Sequence, residues 1–480
     1  MSSSPKVKKS IFIVGLEKIS MIFIQLLTSF ILARLLTPSD YGTIAMIAIF
    51  ISLSSALAEA GLGGSLIFYN DVDERDYSTV FWLNTITSIV LYVIIWIIAS
   101  PIATFYSNED IALILKVSGI SIIFSAFGTI QLSLMYKNLQ FKKIAIVSII
   151  SYVVSAVVAI LLAYYGWGVW ALVAQQVLVS MTRAVLLSII NRFIPSLILS
   201  KQLVLKHWNF GKGLLFSTLL KTVYDNMYLQ LIGKYCNVVN AGYYNQAKKI
   251  KDIPSNLFCN VFETSLFPIF SKYTDEQLFV VKARKIIRFF ALFVSAIFFL
   301  TMLCSHEIIL LLLGGKWEEC SWMLSVLSLG AIFFVFETVN RSMMKARGLS
   351  NVIFKVDLVK RTISLLVMFL GILLFDIKGI VIAFVFNSMF GWLANVYVLS
   401  KKVKYNIKMQ FNDLFFYVFL SAVAAIVLYS LELCYLPCNV YLKVIFFVVS
   451  FILSYFGLLV FLKDQSLRLA LGFIKKKLHK

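Results

Sequence analysis

Charged residues are scarce in this chain. They make up 14% of 480 residues, whereas hydrophobic residues reach 60% and mean hydropathy is +0.90. Ordinary soluble domains carry about 25% charged residues, so a water-soluble helical protein is a poor fit. Histidine is rarer still: His207, His306 and His479 are scattered, and the six cysteines form no C-x-x-C, which leaves a zinc site without support. Cys434 and Cys438 are near enough in sequence for a short disulfide, although small apolar helix residues are the plainer reading. Long polar stretches are also missing. The longest, 192–212 and the tail from 463, fall far short of the roughly 100 residues that a nucleotide-binding or glycosyltransferase domain needs.

What fills the chain instead is a series of long apolar runs, such as 85–99, 144–163, 289–304 and 444–462. A bilayer core roughly 30 Å thick takes about 20 apolar residues per helix. The apolar stretch near the start of the sequence, 11–36, continues past any small-residue cleavage site and reads as a span rather than a signal peptide. The expected fold is all-α and polytopic, with about fourteen transmembrane helices: 11–36, 43–69, 79–103, 111–135, 144–165, 167–191, 213–233, 241–270, 289–304, 321–340, 355–375, 379–400, 411–432 and 439–462.

The formal net charge of +21 superficially suggests nucleic acid. Position argues otherwise. With the N-terminus in the cytosol, and with 341–361 counted as a polar cytosolic connection because the span that starts near 355 opens on an interfacial turn, 32 of the 44 lysines and arginines fall on the cytosolic side, three on the other side and nine within spans. That asymmetry is the positive-inside rule, and it places both termini in the cytosol. The basicity records insertion and contact with membrane lipids rather than a nucleic-acid partner.

Segment 241–270 would fail any hydropathy window, because it holds Lys248, Lys249, Lys251, Asp252, Pro254 and Glu263. Yet if it did not cross, every basic segment after it would change sides. A polar spanning helix is tolerated only against protein or a watery cavity. The exception therefore points to a site.

Segment 192–212 divides the chain into an N-lobe (1–191, spans 1–6) and a C-lobe (213–400, spans 7–12), followed by a terminal helix pair with a basic tail (401–480). A faint repeat crosses the divide at an offset of 200. Asp40-Tyr41-Gly42 matches Ala241-Gly242-Tyr243-Tyr244, and Ser65-Leu66 matches Ser265-Leu266. Two pseudo-symmetric six-helix lobes follow, related by an axis along the membrane normal and enclosing a central path.

Ionisable residues inside spans gather in the first two helices of each lobe. Span 7 carries Ser217, Lys221, Tyr224, Asp225 and Tyr228 on one helical face; span 8 carries Tyr244, Lys248, Lys251, Asp252, Ser255, Cys259 and Glu263. Span 1 adds Lys18 and Gln25, and span 2 adds Glu59. Charges at this depth cost several kcal/mol and normally mark a transport path, although Lys221–Asp225 and Lys248–Asp252 also have the spacing to pair with each other. Lys18, Lys221, Lys248 and Lys251 suit a phosphate-bearing headgroup, with Gln25, Tyr224, Tyr228 and Tyr244 offering polar and aromatic contacts. Glu59, Asp225 and Glu263 are candidates for a coupling cation, H+ or Na+. Two motifs are decoys. Asp71-Val72-Asp73 mimics a metal–nucleotide-sugar clamp but has no domain around it and reads as an acidic turn. Gly61, Gly63 and Gly64 lack a preceding strand and fit helix packing or a hinge.

The segments ILARLLTPSDYG (31–42), GLGGSLI (61–67), STVFWLN (78–84), GWGVWALVAQQ (166–176), AGYYNQAKK (241–249), LFPIFSKY (266–273) and LLGGKW (312–317) carry a family resemblance. Taken in order, they resemble the polysaccharide transporter family, in its Wzx-like, colanic-acid-exporter-type branch, within the multidrug/oligosaccharidyl-lipid/polysaccharide flippase superfamily. The likeness covers roughly 10–350 and fades beyond. It implies two six-helix lobes around a cationic cavity that opens alternately to each side of the bacterial inner membrane. The implied substrate is an undecaprenyl-pyrophosphate-linked oligosaccharide for O-antigen, capsule or exopolysaccharide assembly, with no cofactor, no catalysis and contact with the polymerase machinery. A drug/cation antiporter of the same superfamily would show a cavity dominated by acids rather than lysines. A lipid II flippase matches the segments less well. A membrane polymerase or acyltransferase would be expected to show a large outer loop or an intramembrane histidine.

Overall fold

The computed structural model describes residues 5–59, 61–435, 439–468 and 472, with side chains described from Ser20 onward except 432–435. Lys18 therefore lies outside the described side chains, as do Cys434 and Cys438.

The chain is all-helical, and no strand occurs among the described residues. The helices are α1 (Pro5–Leu35), α2 (Pro38–Glu59), α3 (Leu62–Phe68), α4 (Glu74–Phe105), α5 (Asp110–Lys137), α6 (Phe141–Tyr164), α7 (Val169–Asn191), α8 (Lys201–Tyr235) and α9 (Val238–Val261). A π-helical turn, Phe262–Leu266, leads into α10 (Phe267–Ser271), α11 (Glu276–Leu303), α12 (Ser305–Leu312), α13 (Cys320–Ala346), α14 (Ser350–Lys402), α15 (Ile407–Tyr435) and α16 (Val440–Phe461). Ten of these segments among the described residues are long and apolar enough to cross a membrane by length and composition. Helices α8 and α9 are not among the ten, because their polar residues interrupt every apolar window.

The chain divides into two compact units, Met1–Gly242 and Tyr243–Lys480. In the first, α4 packs on α5, α7 on both α5 and α6, α1 on α6, and α2 on α8. Small residues bring backbones close where helices cross, as in membrane bundles generally. Gly233 on α8 faces Met46 of α2, and the Gln230 side chain donates to the Met46 carbonyl at 3.1 Å. The first turns of α2 and α9 meet through Gly42 and Gly242. A Cβ on Gly42 would overlap the Val238 carbonyl oxygen, and one on Gly242 would overlap that of Pro38.

Helix α4 starts at a capping box. Asp73 accepts from the amides of Arg75 (2.9 Å) and Asp76 (3.0 Å), while Asp76 accepts from the Asp73 amide at 3.2 Å. Half of the Asp71-Val72-Asp73 motif is thus a helix cap. Gly61 takes φ +67° ahead of α3, where a side chain would press on Gly211 of α8.

In the second unit, α13 packs on α14 and α11, and α11 on α15. The 53 residues of α14 are two helices joined at Asp376 (φ 52°, ψ −138°). A straight helix of that length would run about 80 Å, far beyond a bilayer. The chain reverses instead, and the arms touch where a Cβ on Gly371 would lie 2.8 Å from the Gly379 carbonyl oxygen.

Candidate functional site

The residues read as polar faces on α8 and α9 lie one set in each compact unit, some exposed and some buried. On α8, Leu215, Leu229 and Ile232 are buried on the packed side. Ser217, Lys221 and Asp225 are exposed, Tyr224 is half-buried and Tyr228 is buried. Gln25 on α1 is exposed, as is Glu59 at the end of α2, where Arg183 of α7 is near enough to act on it electrostatically. An exposed lysine and aspartate on a helix otherwise built for apolar surroundings need water or a charged ligand beside them.

The start of α8 is fixed by a buried cluster. His207 Nε2 donates to Asp76 Oδ1 at 2.9 Å, and His207 Nδ1 lies 2.7 Å from Ser65 Oγ. Lys206 adds an ion pair to Asp76 at 3.2 Å. The preceding strap is fastened along α4: the Ser196 amide donates to Ser78 Oγ (3.0 Å) and Trp82 Nε1 donates to the Ser196 carbonyl (2.9 Å). Ser65, His207 and Asp76 have the residue types of a hydrolytic triad, but Ser65 is fully buried and its hydroxyl also lies 2.6 Å from the Leu62 carbonyl. The cluster is a clamp.

His207 sits in the polar segment before the span, and burial pulls its imidazole below the ordinary value despite the Asp76 carboxylate. The folded chain therefore favours the neutral imidazole more than the unfolded chain does. Stability is complete above the unfolded value of about 6.5 and declines as pH falls through it, because the unfolded chain then binds a proton that the folded chain refuses. Between pH 8 and pH 5, His207→Gln is expected to lose less melting temperature than the wild type. Equal losses would remove His207 from the acid response.

In the second unit, Tyr244 is buried and Lys248 half-buried. Lys251 is 2% exposed, pairs with Asp252 at 2.5 Å, and stands over the Phe384 ring at 4.5 Å. The spacing had suggested Lys248 as the partner of Asp252. The adjacent Lys251 forms an ion pair with that carboxylate. Ser255 Oγ donates to the Lys251 carbonyl (2.9 Å), and Cys259 lies 3.4 Å from Thr338 Oγ1 on α13. Glu263 is exposed on the π-helical turn. Such turns interrupt regular helix hydrogen bonding and are frequent at functional sites.

Sequence reasoning missed a second ionic group. Lys360 Nζ of α14 lies 2.7 and 2.5 Å from the two carboxylate oxygens of Glu337 on α13, and Arg341 Nη2 donates to Asp357 Oδ2 at 2.9 Å. The charge pattern had assigned 341–361 to a polar connection, but α14 begins at Ser350 and carries Lys360 into the helix contact. The signal available was Glu337 itself, an acid in a span with Arg341 one turn away. Among the described residues, no group of three histidine, cysteine, aspartate or glutamate side chains is placed to hold a metal ion.

Comparison with known proteins then bears on the family. Residues 31–322, more than half of the chain, match the family model described as polysaccharide biosynthesis protein. The chain is 27% identical over 262 residues to the succinoglycan biosynthesis transport protein ExoT of Rhizobium meliloti, a match over 55% of this chain and 53% of that protein. It is 22% identical to the teichuronic acid biosynthesis protein TuaB of Bacillus subtilis, over 85% of this chain and 86% of the relative. It is also 22% identical to the lipopolysaccharide biosynthesis protein WzxC of Escherichia coli, over 78% and 76% respectively. Among solved structures, the lipid II flippase MurJ in an inward closed conformation superposes with TM-score 0.71 at 16% identity, over 94% of this chain and 99% of that one. At that identity the likeness shows the fold alone. The family match and the curated relatives carry the conclusion that this chain belongs to the polysaccharide biosynthesis protein family of membrane transporters.

Proposed function

We propose that the chain is a flippase that moves an undecaprenyl-pyrophosphate-linked oligosaccharide from the cytosolic to the periplasmic leaflet of the bacterial inner membrane, for O-antigen, capsule or exopolysaccharide assembly. The observation that carries this reading is the pair of polar, lysine-bearing faces on α8 and α9, in a chain whose family serves polysaccharide biosynthesis. A pyrophosphate–sugar head cannot cross hydrocarbon bare, because burying unpaired charge costs many kcal/mol. Lysines beside water replace its hydration, while the isoprenoid tail stays in lipid.

In this proposal fourteen spans, with both termini cytosolic, form a six-helix N-lobe, a six-helix C-lobe and a terminal pair. Lys221 and Lys248, with Lys18 and Gln25 on α1, receive the anionic head. Tyr224, Tyr228 and Tyr244 line the path toward the sugars. Lys251, neutralised by Asp252, tunes the α9 face from inside rather than meeting the head as a free cation. Glu59, Asp225 and Glu263 take the coupling H+ or Na+, each charge carried across 100 mV being worth about 2.3 kcal/mol.

Lys221→Ala and Lys248→Ala, made singly in the producing cell, are each expected to cut surface polysaccharide about tenfold at unchanged protein level. That is the size of one lost charge-assisted contact, about 1.5 kcal/mol or more. Lipid-linked repeat units should accumulate on the cytosolic leaflet. Undiminished polysaccharide in both variants removes the two lysines from the path. Cation-dependent export of drugs with intact polysaccharide favours an antiporter, and complementation of a lipid II flippase defect favours that substrate.

A further inference from the structure

The strap that joins α7 to α8, residues 192–200, leaves large apolar side chains bare. Ile194 is 82% exposed, Leu197 88% and Leu199 55%. Phe193 turns the other way and meets the Tyr77 ring edge-on at 6.2 Å. Bare aliphatic side chains gathered on so short a segment mark a surface that something covers. Exposed Arg192 and Lys201 stand at its two ends.

Two features identify the cover as lipid. The first is depth. Helix α4 is about 48 Å long, with polar residues at both ends, Glu74 to Asp76 and Ser107 to Asp110. A hydrocarbon core of roughly 30 Å centred on it begins about 9 Å along from Glu74. The strap is bonded to Ser78, Thr79 and Trp82, about 6 to 12 Å along the same helix, at the boundary between headgroups and acyl chains. Tryptophan is enriched at that level. The second feature is how the strap's backbone is met. Besides the Ser196 bonds to Ser78 and Trp82, the Ile198 carbonyl accepts from Thr79 Oγ1 at 3.4 Å and the Phe193 carbonyl from Gln131 Nε2 at 3.5 Å. Ser78 and Thr79 are fully buried. Irregular backbone in water needs no such partners, whereas at membrane depth it is tolerated only where protein satisfies it.

We propose that the strap is a lipid-binding surface: Ile194, Leu197 and Leu199 enter the acyl boundary of the leaflet that adjoins the α4 N-terminus, while Arg192 and Lys201 reach its phosphate headgroups. The connection from α7 to α8 is then no aqueous linker. Because it runs straight into α8, the leaflet holds the start of the helix that carries Lys221 and Asp225. The proposal does not depend on the flippase reading.

The test reconstitutes the full chain in vesicles of phosphatidylethanolamine and phosphatidylglycerol, with Ile194→Cys and Leu197→Cys made singly. A membrane-impermeant maleimide is the probe, and labelling of the wild-type cysteines is subtracted. Asp71→Cys, in the turn before α4 and with a side chain 83% exposed, is the aqueous reference. Expected is labelling of both strap cysteines roughly tenfold slower than of Asp71→Cys, because a thiol among acyl chains stays un-ionised and away from water. A nitroxide on either strap cysteine should be relaxed more by oxygen than by a water-soluble nickel chelate, with the order reversed at Asp71→Cys. Labelling as fast as that of Asp71→Cys overturns the proposal, and protection that then appears only in native membranes assigns the surface to a protein partner. Slow labelling without the oxygen preference overturns it too, since the chain itself then covers the strap.

Discussion

Gly42→Ala is expected to leave little folded protein, against the direction that helix propensity alone sets. Glycine inside a helix is about 1 kcal/mol worse than alanine, so the change would stabilise an isolated α2. At this position the new methyl would overlap the Val238 carbonyl oxygen and lie 2.8 Å from its carbon. Those atoms belong to the backbone of α9 and have no rotamer by which to yield. Gly242→Ala meets the Pro38 carbonyl in the same way, with its Cβ 2.8 Å from the carbon and 3.2 Å from the Gly42 amide nitrogen. The contact is reciprocal: each glycine rests on the carbonyl four residues before the other. Overpacking of this kind costs about 1–3 kcal/mol and more where backbone must move, out of a total of about 5–15 kcal/mol. Gly213→Ala in α8, where nothing lies within 4 Å, is the control and should melt at or slightly above the wild type. Detergent-solubilised protein followed by size exclusion and thermal melting reads all three. Wild-type melting of Gly42→Ala would show that the helices separate here at no cost.

Lys360→Met is the second large effect, expected to destabilise the chain by about 3 kcal/mol, because it leaves the buried Glu337 carboxylate with only the more distant Arg341 guanidinium, at 4.0 Å, inside the α13–α14 contact. Restoring neutrality with Glu337→Gln in the same chain should recover most of the loss. Hydrophobic or neutral replacement of both partners of a buried pair is often close to neutral, whereas removal of one is not. The cycle of two single variants and the double variant isolates the coupling. Gly391 belongs to this unit of chemistry as well: a Cβ there would lie 2.5 Å from Glu337 Oε2 and 2.6 Å from Lys360 Nζ, so the glycine keeps open the space the pair occupies. Additive losses in the double variant would mean that the two side chains act separately, despite their distances of 2.5 and 2.7 Å.

Local patterns made much of this legible before any coordinates. Apolar run length yields the helical architecture, and the Asp376 reversal falls in the short gap between the spans 355–375 and 379–400 read from hydropathy. The offset of 200 that aligned Asp40-Tyr41-Gly42 with Ala241-Gly242 also turned out to join two helices that touch through those glycines. The stripe on α8 needed only helical periodicity. What stayed hidden depends on distant contacts. His207 looked isolated because Asp76 and Ser65 lie 131 and 142 residues away. Lys360 looked like a loop charge, since nothing local tells a lysine near an interface from one turned onto an acid of the preceding helix.

The reversal within α14 bears on how the protein is made. The ribosome delivers Ser350–Lys402 without a connecting loop, so neither arm can settle in the bilayer and wait on a tether for the other. With Gly371 against Gly379, the arms must leave the translocon as one hairpin. An error at Asp376 during synthesis would thus cost two crossings at once and leave every later helix in its original orientation.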